Sequence, residues 1–205
     1  MSIDAILGPM FAGKSLEMLT RMTKYYLAKY KCLIIRSRKD TRYTDDANAD
    51  LTACTHNKIS ASAIPAQFAD TIAECMERIT REGIQVIGID EGQFFSDIAS
   101  ACDTLATEMG KIVIVAALDG DYGREMFPNI AQLVPKCDSI KKLKSVCSEC
   151  NKMCAIFSSL RKSSKVIWKD EFLVGGDDLY QALCRECYAK HHATVAPKVE
   201  STTKN

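Results

Sequence analysis

Net charge is almost absent from this sequence: 27 lysines and arginines face 26 aspartates and glutamates. A dedicated nucleic-acid binder carries a strong basic excess, so that class is disfavoured, while a small anionic substrate held by local backbone and a few cations stays open. Long apolar runs are missing too. No stretch approaches the roughly twenty residues that a membrane-spanning helix needs. Met1 to Leu7 has neither a basic start nor a long apolar core, so no secretory signal is expected. Internal repeats and low-complexity blocks are also lacking. These absences lead to the expectation of a cytoplasmic protein with no membrane and no nucleic-acid partner, in a compartment where disulfides are rare.

What is present is a substantial core and many cysteines. The 205 residues are 47% hydrophobic, enough for one sizeable domain plus a small appendage. Of ten cysteines, Cys32, Cys54, Cys75, Cys102 and Cys137 are scattered and read as small core hydrophobes. Cys147, Cys150, Cys154, Cys184 and Cys187 crowd one end and need another explanation.

Ile3 to Leu7 is a short apolar run ending at Gly8, which suits a buried strand entering a turn. Leu16, Leu19, Met22, Tyr26, Leu27 and Tyr30 follow a helical period from Ser15 to Tyr30. Cys32 to Ile35, Val86 to Ile89 and Ile112 to Ala117 read as strands, and Ala66 to Glu82 and Asp97 to Met109 as helices. The polar stretch from Ser37 to Asp50 reads as a mobile loop. Strands alternating with helices imply βαβ units around a mostly parallel sheet. After about residue 145 the pattern changes to cysteine pairs and short β-like runs at Val166 to Trp168 and Phe172 to Val174. The expected division is residues 1–145 as an α/β nucleotide-binding domain, 146–191 as a cysteine-rich lobe and 192–205 as a disordered tail.

The first chemical signal is Gly8-Pro9-Met10-Phe11-Ala12-Gly13-Lys14-Ser15, which matches the phosphate-binding loop pattern G-x-x-x-x-G-K-[ST]. Glycines let the backbone curl so that successive N–H groups point inward, and the following helix adds its positive end. Lys14 is expected to reach the β- and γ-phosphates of ATP, and the Ser15 hydroxyl to ligate Mg²⁺. The motif follows one expected strand and opens one expected helix, which is the context it requires. The run Val86-Ile87-Gly88-Ile89 then delivers Asp90 and Glu91 at a strand end, where one carboxylate can sit near the metal. The other can accept a proton from an attacking hydroxyl, and spacing alone does not divide the roles.

The second signal is a pair of knuckles, Cys147-Ser148-Glu149-Cys150 and Cys184-Arg185-Glu186-Cys187, separated by 33 residues. Two C-x-x-C pairs can close a tetrahedral Cys₄ zinc site whatever the loop between them, and four thiolates leave no open position, so the role is structural. Two copies outside a thioredoxin-like context disfavour a redox pair. Cys154 is left over as a free thiol, and His191 and His192 are expected on the surface.

The combination resembles the type II, cellular-type thymidine kinases. The resemblance is carried by GPMFAGKS at Gly8–Ser15, YKCLIIRSRKDTRY at Tyr30–Tyr43, IGIDEGQFF at Ile87–Phe95 and VAALDGDYGREMF at Val115–Phe127. It continues with LVPKCDSIKKL at Leu133–Leu143 and VGGDDLYQALCRECY at Val174–Tyr188. It implies a P-loop NTPase sheet flanked by helices, with a small zinc-bound β lobe carrying a lasso loop over the nucleoside. It also implies transfer of the γ-phosphate of ATP to the 5′-hydroxyl of thymidine, feedback by dTTP and a homotetramer. By position, Glu91 matches the catalytic base and Asp90 its neighbour near Mg²⁺, while Asp40, Arg42 and Gln93 match residues of the nucleotide site. Tyr122 and Phe127 match aromatics near the base, Ser158 stands where many members have Thr, and Tyr180 matches a sugar-side tyrosine. Glu171, Phe172, Leu173, Val174 and Gly175 match the lasso stretch whose main chain meets the base. The rival reading is a zinc-containing P-loop ATPase acting on nucleic acid, which requires a basic face and DNA-stimulated hydrolysis.

Overall fold

The computed structural model describes residues 1–40, 64–161 and 179–193. Arg42, Glu171–Gly175, the expected strands at Val166–Trp168 and Phe172–Val174, and the expected tail from residue 194 onward lie outside the described residues.

Continuous apolar runs become strands buried on both faces. β1 (Ser2–Gly8), β2 (Cys32–Ser37), β4 (Val86–Ile89) and β5 (Ile112–Leu118) are almost entirely enclosed, as expected where helices cover both sides of a parallel sheet. With β3 (Ala66–Ala69) and β6 (Ser139–Lys142) they form a six-stranded sheet in the order β3-β2-β4-β5-β1-β6, every pair parallel. One face carries α1 (Lys14–Leu27), whose Met18, Leu19 and Met22 pack with Ile6, Ile34, Val86 and Ile114. The opposite face carries α2 (Met76–Arg81), α3 (Ile98–Asp103) and α4 (Pro128–Leu133); there Ile79, Ile98, Leu105 and Ile130 pack with Leu33, Ile35, Ile87 and Val115.

Beyond the sheet, β7 (Phe157–Leu160) and β8 (Tyr180–Leu183) pair antiparallel, and α5 (Arg185–Ala193) follows. Their small core is Cys147, Ala155, Ala182, Leu183 and Tyr188, with Phe157 packed against it. Among the described residues no helix is long and apolar enough to cross a membrane.

Several expectations need correction. Ala66–Glu82 is not one helix. Ala66–Ala69 is extended and pairs with β2, and the chain then makes a 3-10 turn at Ile72–Cys75 before α2. The reason is a capping box at Thr71: the Glu74 carboxylate accepts the Thr71 N–H at 3.1 Å, so the helical stretch starts only there. The Asp97 carboxylate takes two more orphan donors, the N–H groups of Ile72 and Ala73, at 3.1 and 3.0 Å. The polar stretch from Ser37 departs from a loop only at its first residue, because Ser37 ends β2; the chain turns at Arg38 and Lys39, and Asp40 is buried. His191 is not a surface residue either, and His192 is only half-exposed. α5 continues through Ala193, His191 is buried beside Gln181, and His192 stacks on Tyr188 with ring centroids 4.1 Å apart. The scattered cysteines among the described residues do pack as hydrophobes. Burial pushes the thiols of Cys32, Cys75 and Cys137 up to about 11, and that of Cys102 further still.

Candidate active site

Parallel pairing brings the carboxyl ends of β1, β4 and β5 to one edge, with Gly8 in register with Leu118 and Ile89 with Val115. A crevice at that edge is where open α/β sheets bind ligands. The glycine-rich loop turns there. Gly13 adopts the left-handed conformation (φ 76°) as the cap of α1, which a side-chain-bearing residue resists. Lys14 is 7% exposed and donates to the Pro9 carbonyl at 2.8 Å, so its ammonium is folded back over the loop it belongs to. Two serines from beyond the sheet brace the loop: the Ser158 hydroxyl accepts the Met10 N–H at 3.1 Å, and the Ser145 hydroxyl donates to the Phe11 carbonyl at 3.0 Å.

The acidic pair arrives from β4. Asp90 is 3% exposed, and its carboxylate accepts the Ser15 hydroxyl at 2.7 Å. Motif serine and strand-end aspartate therefore already meet, which is the donor set a Mg²⁺ ion takes in such loops. Glu91 sits in the left-handed region (φ 51°, ψ 48°), a conformation costing about 1–3 kcal/mol that persists only where the surroundings impose it. They do impose it here. Gln93 donates through Nε2 to the Glu91 carboxylate at 2.6 Å while its Oε1 accepts the Leu118 N–H at 3.0 Å. Asn129 at the start of α4 donates to the carbonyls of Gln93 and Phe95, at 3.0 and 2.8 Å, and pins the whole turn. One cavity of about 200 Å³ opens at this point; Lys14, Glu91, Tyr122, Phe127 and Tyr180 all line it.

The cysteine knuckles converge in the small lobe. The sulfurs of Cys147, Cys150, Cys184 and Cys187 all lie within 4.8 Å of one another. Cys150 and Cys184 are 3.9 Å apart, far beyond a disulfide bond but close to the ~3.8 Å edge of a tetrahedron built on metal–sulfur bonds of about 2.3 Å. Backbone N–H groups point at the sulfurs, from Cys184 to Cys147 at 3.3 Å and from Cys187 to Cys184 at 3.5 Å. Burial raises the Cys147 thiol, but the N–H donors of Cys150, Cys184 and Glu149 outweigh it, and the pKa falls to about 6. These four residues are placed to hold a metal ion. Cys154 packs beside them as a half-buried thiol.

A family model described as thymidine kinase matches residues 1–188. Human cytosolic thymidine kinase is 43% identical over 188 residues, which cover 92% of this chain and 73% of that protein. The bovine cytosolic enzyme is 40% identical over 203 residues, covering 99% and 78%, and thymidine kinase of vaccinia virus (strain Western Reserve) is 41% identical over 186, covering 91% and 96%. The chain belongs to the thymidine kinase family. It is thus a nucleoside kinase built on a parallel α/β sheet.

Most of the residues singled out from sequence gather in this thymidine kinase cavity. Met10, Phe11, Ala12, Gly13, Lys14, Ser15, Asp40, Glu91, Gln93, Tyr122, Phe127, Ser158 and Tyr180 line it. Asp90 reaches it through Ser15, and Gly8 and Pro9 form the base of the loop. Leu118, Gly120 and Asp121 also line it and were not anticipated. Leu118 contributes a backbone N–H at a strand end, which no side-chain motif signals. Asn129 was missed as well, although its place just after Pro128 at a helix start is a readable cue.

Proposed function

We propose that this chain transfers the γ-phosphate of ATP to the 5′-hydroxyl of thymidine, and of deoxyuridine, giving the nucleoside 5′-monophosphate for pyrimidine salvage. The observation that carries the reading is the shared cavity, in which Lys14 of the phosphate loop and the Glu91 carboxylate face the same space as Tyr122, Phe127 and Tyr180.

In this reading the backbone from Gly8 to Ser15 cradles the phosphates, and Lys14 leaves the Pro9 carbonyl for the β- and γ-phosphates. Ser15 and Asp90 are the residues that would hold Mg²⁺, which when bound supplies positive charge to the transferring phosphoryl group. Glu91 accepts the proton of the 5′-hydroxyl. Gln93 donates to one Glu91 oxygen at 2.6 Å and so orients the carboxylate. Asp40 and Arg42 border the nucleotide. Tyr122, Phe127, Ser158 and Tyr180 flank the nucleoside, and the main chain of Glu171, Phe172, Leu173, Val174 and Gly175 meets the thymine edge. Burying the base excludes water, the competing phosphoryl acceptor.

The four cysteines are assigned to structural zinc, which prefers a closed tetrahedral thiolate set. The proposed division is a catalytic domain (1–145) and a nucleoside lobe (146–191); within the lobe Leu160 pairs with Tyr180, and the Arg161 N–H donates to the Leu179 carbonyl at 2.8 Å. The reading extends to dTTP feedback, a homotetramer and a cytoplasmic location, the last in keeping with the name of the human cytosolic relative.

The test is ADP release from ATP with thymidine, with single-stranded DNA and with neither. Thymidine-dependent release is expected; release stimulated by DNA alone would point to the rival ATPase. Lys14→Ala should cut thymidine-dependent turnover about a hundredfold or more while unfolding at an unchanged temperature.

A further inference from the structure

The loop that follows β5, from Asp119 to Phe127, delivers Gly120, Asp121, Tyr122 and Phe127 to the cavity. It is stitched internally by the Asp121 N–H to the Glu125 carbonyl and by the Glu125 N–H to the Asp121 carboxylate, both at 2.9 Å. Those bonds shape the loop but do not fix where it sits. Arg124 does something else. Its backbone is in the left-handed region (φ 71°), which a side-chain-bearing residue adopts only under constraint. In that conformation its guanidinium carbon lies 4.7 Å from the centre of the Tyr188 ring and 5.4 Å from that of Phe157, within cation–π range of both. The two rings touch each other, 5.1 Å apart at 58°. The Tyr188 hydroxyl then donates to the Tyr122 carbonyl at 2.8 Å. Tyr188 is 6% exposed, follows the metal-site residue Cys187 directly in the chain, and stacks with His192.

We propose that Arg124 and Tyr188 are positioning residues for the nucleoside: together they clasp the Asp119–Phe127 loop to the cysteine lobe and so set the Tyr122 side chain on the pocket wall. The lobe thereby serves the nucleoside site by a route separate from residues 162–178. The inference rests on the reading that this cavity takes thymidine.

Two variants test it. Tyr188→Phe keeps the ring and removes only the hydroxyl; Arg124→Met keeps length and removes the charge from outside the lobe. Each should raise the thymidine KM about five- to tenfold, the size expected for one net hydrogen bond or cation–π contact, with kcat and the ATP KM unchanged. Arg124→Lys should recover part of the loss. The double variant should fall short of the product of the singles, because the two act on one loop. Hydrogen exchange of the free protein should show faster exchange at residues 119–127 in both single variants. Metal content should stay at the wild-type ratio; if Tyr188→Phe loses metal, Arg124→Met decides. Wild-type thymidine KM in the variants, or wild-type exchange in the loop, overturns the inference. If the parent protein does not phosphorylate thymidine, the proposed function fails, and the exchange comparison still decides whether the clasp exists.

Discussion

Two adjacent carboxylates at the end of β4 receive different partners: Asp90 is tied to Ser15 and Glu91 to Gln93. That difference predicts different failures. Glu91→Gln removes the basic oxygen but keeps the shape, so kcat should fall about 10²-fold, the lower end for general-base assistance, with little change in thymidine affinity. Asp90→Asn should give a defect that responds to magnesium concentration. Calorimetric Kd beside kcat across a magnesium titration separates them, and recovery of Glu91→Gln at high magnesium would place Glu91 in the metal shell instead. Gln93 offers a sharper test of orientation. Gln93→Glu places a second carboxylate where a donor now stands 2.6 Å from Glu91, yet keeps an oxygen for the Leu118 N–H. Like charges repel, so the Glu91 carboxylate loses the donor that orients it, and kcat should fall with thymidine affinity little changed. Wild-type kcat in Gln93→Glu would show that the two side chains do not interact during turnover.

At the scale of elements, the turn between β4 and α3 is tight because it lies against the sheet. A Cβ on Gly92 would come within 2.7 Å of Ile98 Cδ1 and 2.8 Å of Val115 Cγ1. Ile98 Cδ1 is the far end of its side chain, but Val115 Cγ1 belongs to a stiff, fully buried β-branched residue, so Gly92→Ala should lose about 1–3 kcal/mol, read from denaturant midpoints. It should also displace Glu91, with kcat falling further than stability alone explains. The edge strands show why element assignment from sequence is uneven. β4 and β5 are read directly, since strands buried on both faces are continuous apolar runs. β6 has four exposed residues, Ser139 to Lys142, and exists because β1 offers it a partner. β3 is likewise a product of pairing with β2, although the Thr71–Glu74 box beyond it was a readable sign that the helix starts late.

For the molecule as a whole, the cysteine lobe touches the phosphate loop through Ser158 and the Asp119–Phe127 loop through Tyr188. Purified protein should therefore carry about one zinc per chain. Cys184→Ser should release it and weaken thymidine binding more than ATP binding. Metal analysis with calorimetry for both ligands checks this; active protein free of zinc would sink the assignment. Removal of zinc by a chelator should act in the same order, first on thymidine affinity and then on the unfolding temperature.

The sequence alone determined the phosphate loop, the acidic pair and the four cysteines. Each is a contiguous or evenly spaced pattern whose meaning depends on local backbone geometry and donor chemistry. A strand ending in glycine and opening a helix makes an anion cradle wherever it occurs. Only the tertiary structure decided how those parts work together. Gln93 could not be linked to Leu118, Asn129 to the Glu91 turn, or Tyr188 to Tyr122 without knowing that β4 lies beside β5 and that the lobe faces the loop after β5. These contacts join residues distant in the chain through single hydrogen bonds and ring faces. Such links leave no periodicity or spacing in the sequence, because each exists only once packing has brought its two halves together.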